Sequence, residues 1–257
     1  MPEKKNNPEK LKVLFATSEV VPFSKTGGLA DVSGALPLAL AKLGVDVRVI
    51  TPLYRQRTDI KTTKLHSKVS VKMKNKSLKV DIRQSRFPES DVTCLFIDYP
   101  EYFDREDLYS YPDDDERFTL FSKAIYAHLL AEGDYDIFHG NDWQSGLVFY
   151  YIKTGRLKGC HTLLTIHNLQ YQGLFPKDII EVAGLDPDLF YPAGPIEFFG
   201  KVGFLKIGII YSDAVNTVSE GYAKEIQTPE YGEGLNGVLK EKGVIGILNG
   251  IDTAVWD

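Results

Sequence analysis

Cysteine, methionine and tryptophan occur only twice each in the 257 residues. Two cysteines, Cys94 and Cys160, make no disulfide framework, and neither stands at a metal-ligand spacing. They read as reduced thiols in or beside apolar runs, as expected of a cytoplasmic protein. No apolar run reaches the roughly 18 residues of a membrane span, so no membrane partner is expected. Residues 1–10 are polar and charged, without the apolar segment of a secretion signal, and read as a flexible leader. Neither charge sign dominates. Thirty Lys and Arg stand against 35 Asp and Glu, without the basic excess of a nucleic-acid binder. Internal repeats and low-complexity tracts are absent. The glycine turn after the first predicted strand lacks the G-x-G-x-x-G dinucleotide fingerprint, and no Walker Lys-Ser/Thr follows it, which removes the simplest nicotinamide and P-loop readings there.

What the chain does have is a 43% hydrophobic composition, enough for a full core. Buried-strand patterns at 11–17, 46–51, 92–98, 135–139, 161–166, 214–218 and 244–248 alternate with helical ones. Helices are predicted over 30–43, 116–130, 142–152, 197–211 and 220–226. Pro37 interrupts the first and is expected to kink or stagger it. Between 69 and 82 the apolar residues alternate with polar ones on either side of Asn75-Lys76-Ser77, the pattern of a hairpin solvated on one face. Residues 99–115 and 168–196 read as irregular. The pattern implies an α/β, doubly wound, mostly parallel Rossmann-like sheet with helices on both faces and an inserted β-hairpin. Ligands of such sheets sit beyond the strand C-termini.

Four segments fall at those strand ends. Lys25-Thr26-Gly27-Gly28 links the first strand to the first helix. Glycine amides, a helix N-terminus and a lysine suit a phosphate, although a plain tight turn is the bland alternative. Asp31 lies in the first helical turn, where the macrodipole alone favours it and a ligand hydroxyl would serve as well. His139-Gly140-Asn141-Asp142-Trp143 follows the fourth predicted parallel strand. Asp142 is placed either to N-cap the next helix or, with its neighbours, to bind sugar hydroxyls beside an indole face. His167-Asn168, with Tyr171-Gln172-Gly173 after it, groups an imidazole, amides and an aromatic in one loop. Asn249-Gly250 is a sharp turn that also falls at this rim.

In this order the segments resemble the N-terminal domain of bacterial glycogen synthases and plant starch synthases, retaining glycosyltransferases of the GT-B fold. The resemblance runs from about residue 11 to 257. It rests on Lys25-Thr26-Gly27-Gly28-Leu29-Ala30-Asp31, Asn141-Asp142-Trp143-Gln144, Thr165-Ile166-His167-Asn168, Thr217-Val218-Ser219 and Asn249-Gly250-Ile251-Asp252. It implies transfer of glucose from ADP-glucose to the 4-hydroxyl of an α-1,4-glucan, with no cofactor and no metal. By similarity Lys25, Gly27 and Gly28 meet the donor, and Asp31 supports the closed site. Asp142 and His167 line the transferred glucose as the catalytic pair. Asn168 and Asn249 orient it, and Tyr99 flanks the cleft. Asn141 and Gln144 stand where many members have histidine. The chain is expected to be the acceptor-side domain (11–257), ending at the family's interdomain crossover without the C-terminal nucleotide-binding domain, and to be inactive alone. A glucan-binding fragment without catalysis, or a UDP-glucose user, is the alternative.

Overall fold

The computed structural model describes residues 10–54 and 64–250. Most of the expected leader and the residues Ile251-Asp252 of the last motif lie outside them. The strands are β1 (Lys12–Ala16), β2 (Asp46–Pro52), β3 (Lys64–Met73), β4 (Lys76–Arg86), β5 (Thr93–Asp98), β6 (Ile137–Asn141), β7 (His161–Ile166), β8 (Leu174–Phe175), β9 (Glu197–Phe198), β10 (Lys201–Gly203), β11 (Ala214–Thr217) and β12 (Val244–Gly246). The helices are α1 (Gly28–Lys42), α2 (Pro100–Phe103), α3 (Asp114–Glu132), α4 (Gly146–Thr154), α5 (Ile179–Ala183), α6 (Phe204–Tyr211), α7 (Glu220–Glu225) and α8 (Asn236–Lys242).

Among the described residues, nine strands form one sheet in the order β12-β11-β7-β6-β1-β2-β5-β4-β3. Seven of them run parallel, and the β3–β4 hairpin adds antiparallel to β5. The hairpin turns at Lys74-Asn75, because Met73 pairs with Lys76. Alternation along β1 feeds two cores. Leu14 and Ala16 join the face covered by α3 and α4, while Val13 and Phe15 join Phe23, Phe96 and the inner side of α1. Pro37 is accommodated within one uninterrupted helix.

Three predicted stretches differ. The region 197–211 begins as the β9–β10 hairpin, and its helix starts only at Phe204. Gly200 at φ 78° makes the intervening turn. With β8, these strands form a separate three-stranded sheet inside and just beyond the stretch read as irregular. The 99–115 segment is also more ordered than its composition suggests, with α2 inside it and α3 beginning at Asp114. Arg117, fully buried, bonds the carbonyls of Tyr102 and Leu108 and pairs with Asp114.

Candidate active site

The chain winds outward from β1 in both directions, through β2 and β5 on one side and through β6, β7, β11 and β12 on the other. The crevice beyond the C-termini of β1 and β6 is therefore the topological switch point. Asn141 closes its floor. Its side-chain NH2 donates to the Ala16 carbonyl at 2.9 Å, and its oxygen meets His167 Nε2 at 2.9 Å. With the NH2 committed, the amide oxygen must accept. That makes Nε2 the protonated nitrogen of His167 and leaves Nδ1 as an acceptor.

Asp142 adopts φ 52° and ψ −171°, a region that is nearly glycine-only and costs about 1–3 kcal/mol. The strain throws its carboxylate across to β7, where it accepts the His167 backbone N–H at 2.8 Å. Its side chain makes no cap bond to the short 3-10 turn that precedes α4, so the N-cap reading is replaced. Burial raises the Asp142 carboxyl, opposed by the nearby imidazole and by the amides of His167 and Asn168. Burial lowers His167 in turn, opposed by Asp142 and Glu19. The Asp142 carboxylate thus meets the His167 backbone directly, while the imidazole bonds Asn141.

The glycine turn holds an anion, but the anion is Glu19. The buried Glu19 carboxylate accepts from the amides of Thr26 and Gly27 (the latter at 3.1 Å) and from the Thr26 hydroxyl at 3.0 Å. This corrects the expectation that Gly27 offers its amide to a donor phosphate. Gly28 opens α1, where first-turn amides have no intrahelical acceptor. A Cβ there would meet nothing within 4 Å, so the fold itself does not demand glycine at that position. Lys25 is half-exposed and ion-paired to Asp31 at 2.7 Å, which gives Asp31 a partner beyond the helix dipole.

The other expected residues stand further out. Asn168 accepts the Gln170 amide at 3.0 Å and shapes its own loop. Asn249 is exposed and donates its backbone N–H to Val218, at the C-terminal end of β11. It therefore shares the rim, but two strands from β7, roughly 10 Å away at ordinary strand spacing. Tyr99 bonds Glu101 and packs on Tyr102 at the end of β5. The aromatic of that segment that reaches the crevice is Tyr109, whose hydroxyl lies 2.6 Å from Ser18 Oγ. His139 belongs to the core. It bonds Thr165 at 2.7 Å, packs edge-on against Phe15, and is pushed down to about 3 by burial.

Beside the Asp142–His167 pair lies a cleft of about 540 Å³ lined by Trp143, Tyr171, Phe175, Phe199, Gln172 and Glu233, among others. Gly173 at φ 61° lets the loop lie flat on Trp143, where a Cβ would come within 2.5 Å of the indole. Tyr171 and Phe199 are largely exposed. The Gln172 side-chain oxygen is buried without a hydrogen-bond partner among the described residues. Aromatic faces flanked by amides and a carboxylate suit carbohydrate.

Sequence reasoning missed Glu19 and Tyr109 as site residues. Glu19 carried a signal, an acidic residue just past β1 and ahead of a cationic glycine turn. Tyr109 carried none.

A doubly wound parallel sheet with its polar network at the switch point is one half of a GT-B glycosyltransferase scaffold. The chain belongs to the starch synthase catalytic domain family, whose model matches residues 12–241. It is 44% identical over 256 residues to a glycogen synthase of Moorella thermoacetica, covering 96% of this chain and 52% of that protein. A glycogen synthase of Koribacter versatilis is 46% identical over 267 residues, covering 96% and 53%. Among solved structures, the catalytic domain of starch synthase IV from Arabidopsis thaliana bound to ADP and acarbose superposes with a TM-score of 0.88 at 33% identity. It covers 96% of this chain and 53% of that one. The chain spans about half the length of the curated relatives it matches. No helix among the described residues is long and apolar enough to cross a membrane.

Proposed function

We propose that this chain forms the acceptor-side half of a cytoplasmic glycogen synthase, which transfers glucose from ADP-glucose to the non-reducing 4-hydroxyl of an α-1,4-glucan with retention. The observation that carries the reading is the Asn141–His167–Asp142 network, strained at Asp142 and set beside an aromatic cleft. Asp142 retains carboxylate lone pairs for a sugar hydroxyl, and neutral His167 offers Nδ1 as an acceptor for another. Lys25 and the Gly28 amide meet the donor diphosphate, while Glu19 keeps the amides of Thr26 and Gly27. A diphosphate leaving group needs fixed donors more than a general acid. Asn168 and Asn249 hold the sugar's orientation from the rim, Asp31 steadies Lys25, and Tyr99 borders the cleft opening. A second, nucleotide-binding half closes the crevice, in keeping with relatives about twice as long.

The test joins this chain to the C-terminal half of the Moorella thermoacetica glycogen synthase and measures transfer of labelled glucose from ADP-glucose to glycogen. A folded chimera should incorporate label. D142N should cut turnover by more than about tenfold while shifting thermal stability little. No transfer by a folded chimera, or a D142N defect confined to stability, would overturn the reading. The aromatic cleft also supports glucan binding by this half alone, which a maltooligosaccharide titration of the separate chain reads directly.

A further inference from the structure

Away from the crevice, at the hairpin end of the sheet, three side chains converge. His66, His128 and Glu132 bring one ligand-type atom each to within 4.8 Å of the other two. The fold builds this meeting by two devices. The β3–β4 register shifts between Leu65 and Ser67, so His66 is the extra residue of a β-bulge, a feature that re-aims a side chain out of the ladder. His128 and Glu132 stand four residues apart on α3, which places both on one face of the helix. Helix α3 packs against β3 and closes the group.

We propose that His66, His128 and Glu132 form a binding site for a divalent transition-metal ion, with Zn²⁺ its best-suited occupant. Two imidazoles and one carboxylate are the donors of Zn²⁺, Co²⁺ or Ni²⁺, whereas Mg²⁺ and Ca²⁺ take oxygen ligands. His66 Nε2 already lies 3.2 Å from Glu132 Oε1. Ligand atoms about 2.0–2.1 Å from a tetrahedral zinc stand roughly 3.3 Å apart, so this pair is already at ligand spacing and the third atom lies within 4.8 Å of both. On His128, Nε2 lies 3.1 Å from the Tyr135 hydroxyl, and the buried Nδ1 has no hydrogen-bond partner among the described residues. Arg48 holds the second carboxylate oxygen of Glu132 at 3.2 Å, which orients Oε1 as an outer-shell partner does. The Arg48 charge opposes a cation, while the Asp134 carboxylate acts on His128 with the opposite sign. The site is separate from the crevice and does not depend on the glucosyltransferase reading.

The test is calorimetric titration of the chain with Zn²⁺, with Mg²⁺ as control, on the wild type, H66A and E132Q. Neither substitution empties the core, since His66 sits at the surface bulge and Gln keeps the shape of Glu132. His128 is left intact because its burial makes replacement a folding risk. The expected result is one zinc per chain, a rise in thermal midpoint with zinc, and a loss of at least about tenfold in affinity in each variant. Absence of zinc binding, equal response to Mg²⁺, or unchanged zinc affinity in both variants would overturn the proposal. In the last case zinc is held elsewhere, as by Cys160 and His161.

Discussion

Glu19 accepts hydrogen bonds from the Thr26 and Gly27 amides and also raises the pKa of both Asp142 and His167. One buried carboxylate therefore does two things. It fixes the shape of the glycine turn that carries Lys25, and it biases the protonation of the pair across the crevice. Replacing it with glutamine keeps one oxygen acceptor but removes the charge facing the α1 N-terminus. E19Q is expected to lower stability by about 1–3 kcal/mol, the range for a buried charge-assisted bond left as a weaker one. Amide exchange at Thr26 and Gly27 should speed up, and His167 should titrate at still lower pH. Hydrogen exchange and an NMR titration read both effects. Unchanged exchange at those two amides would show that the carboxylate is not what holds the loop. At this scale the sequence was half legible. Lys25-Thr26-Gly27-Gly28 announced an anion site because its pattern is local, but the occupant comes from a residue whose approach only the tertiary fold defines. Asp142 shows the same limit. Its capping chemistry is readable from residue type, yet its positive φ sends the carboxylate to His167 instead.

Strands β1, β2, β5, β6, β7 and β11 were readable because fully buried parallel strands are short, continuous apolar runs bounded by polar turns. The 197–211 stretch was not, because apolar density alone cannot separate a buried hairpin from a buried helix. Glycines 200 and 203 were the local hint of the break. The 99–115 segment hid its order in one residue of the following helix. Arg117 is fully buried, bonds two loop carbonyls, pairs with Asp114, and lies about 5 Å from the Tyr111 and Phe103 rings. Asp114 in turn lines the aromatic cleft, so this hub couples the loop to the floor of the candidate sugar site. R117L should leave Asp114 and two carbonyls without their donor and cost about 3–5 kcal/mol, the range for breaking a buried ion pair. Urea unfolding measures it, and a loss under about 1 kcal/mol would mean that the loop is ordered by other contacts. The weaker substitution R105Q removes the part-exposed pair with Asp113, the bonds to the Glu101 carbonyl and the contact with the Tyr111 ring, and serves as the surface comparison.

For the molecule as a whole, the sheet ties its stability to pH through histidines buried without charge. His139 sits between β1 and β7, and burial holds it at about 3, against about 6.5 in an unfolded chain. Its folded pKa is depressed, so the stability it contributes is complete above about pH 6.5 and drains away as pH falls toward 3. In that window the unfolded chain takes up a proton that the folded chain refuses, and each pH unit removes about 1.4 kcal/mol. His167, also lowered by burial, acts with the same sign. Asp142, raised by burial, acts with the opposite sign. Denaturant unfolding at about pH 7.5 and about pH 5.5 should therefore show a falling contribution from His139. In H139N the side-chain amide can still donate toward Thr165 but does not titrate, so the slope between those two pH values should flatten by about 0.7 kcal/mol per unit. A slope identical to wild type would mean that His139 charges freely within the folded sheet.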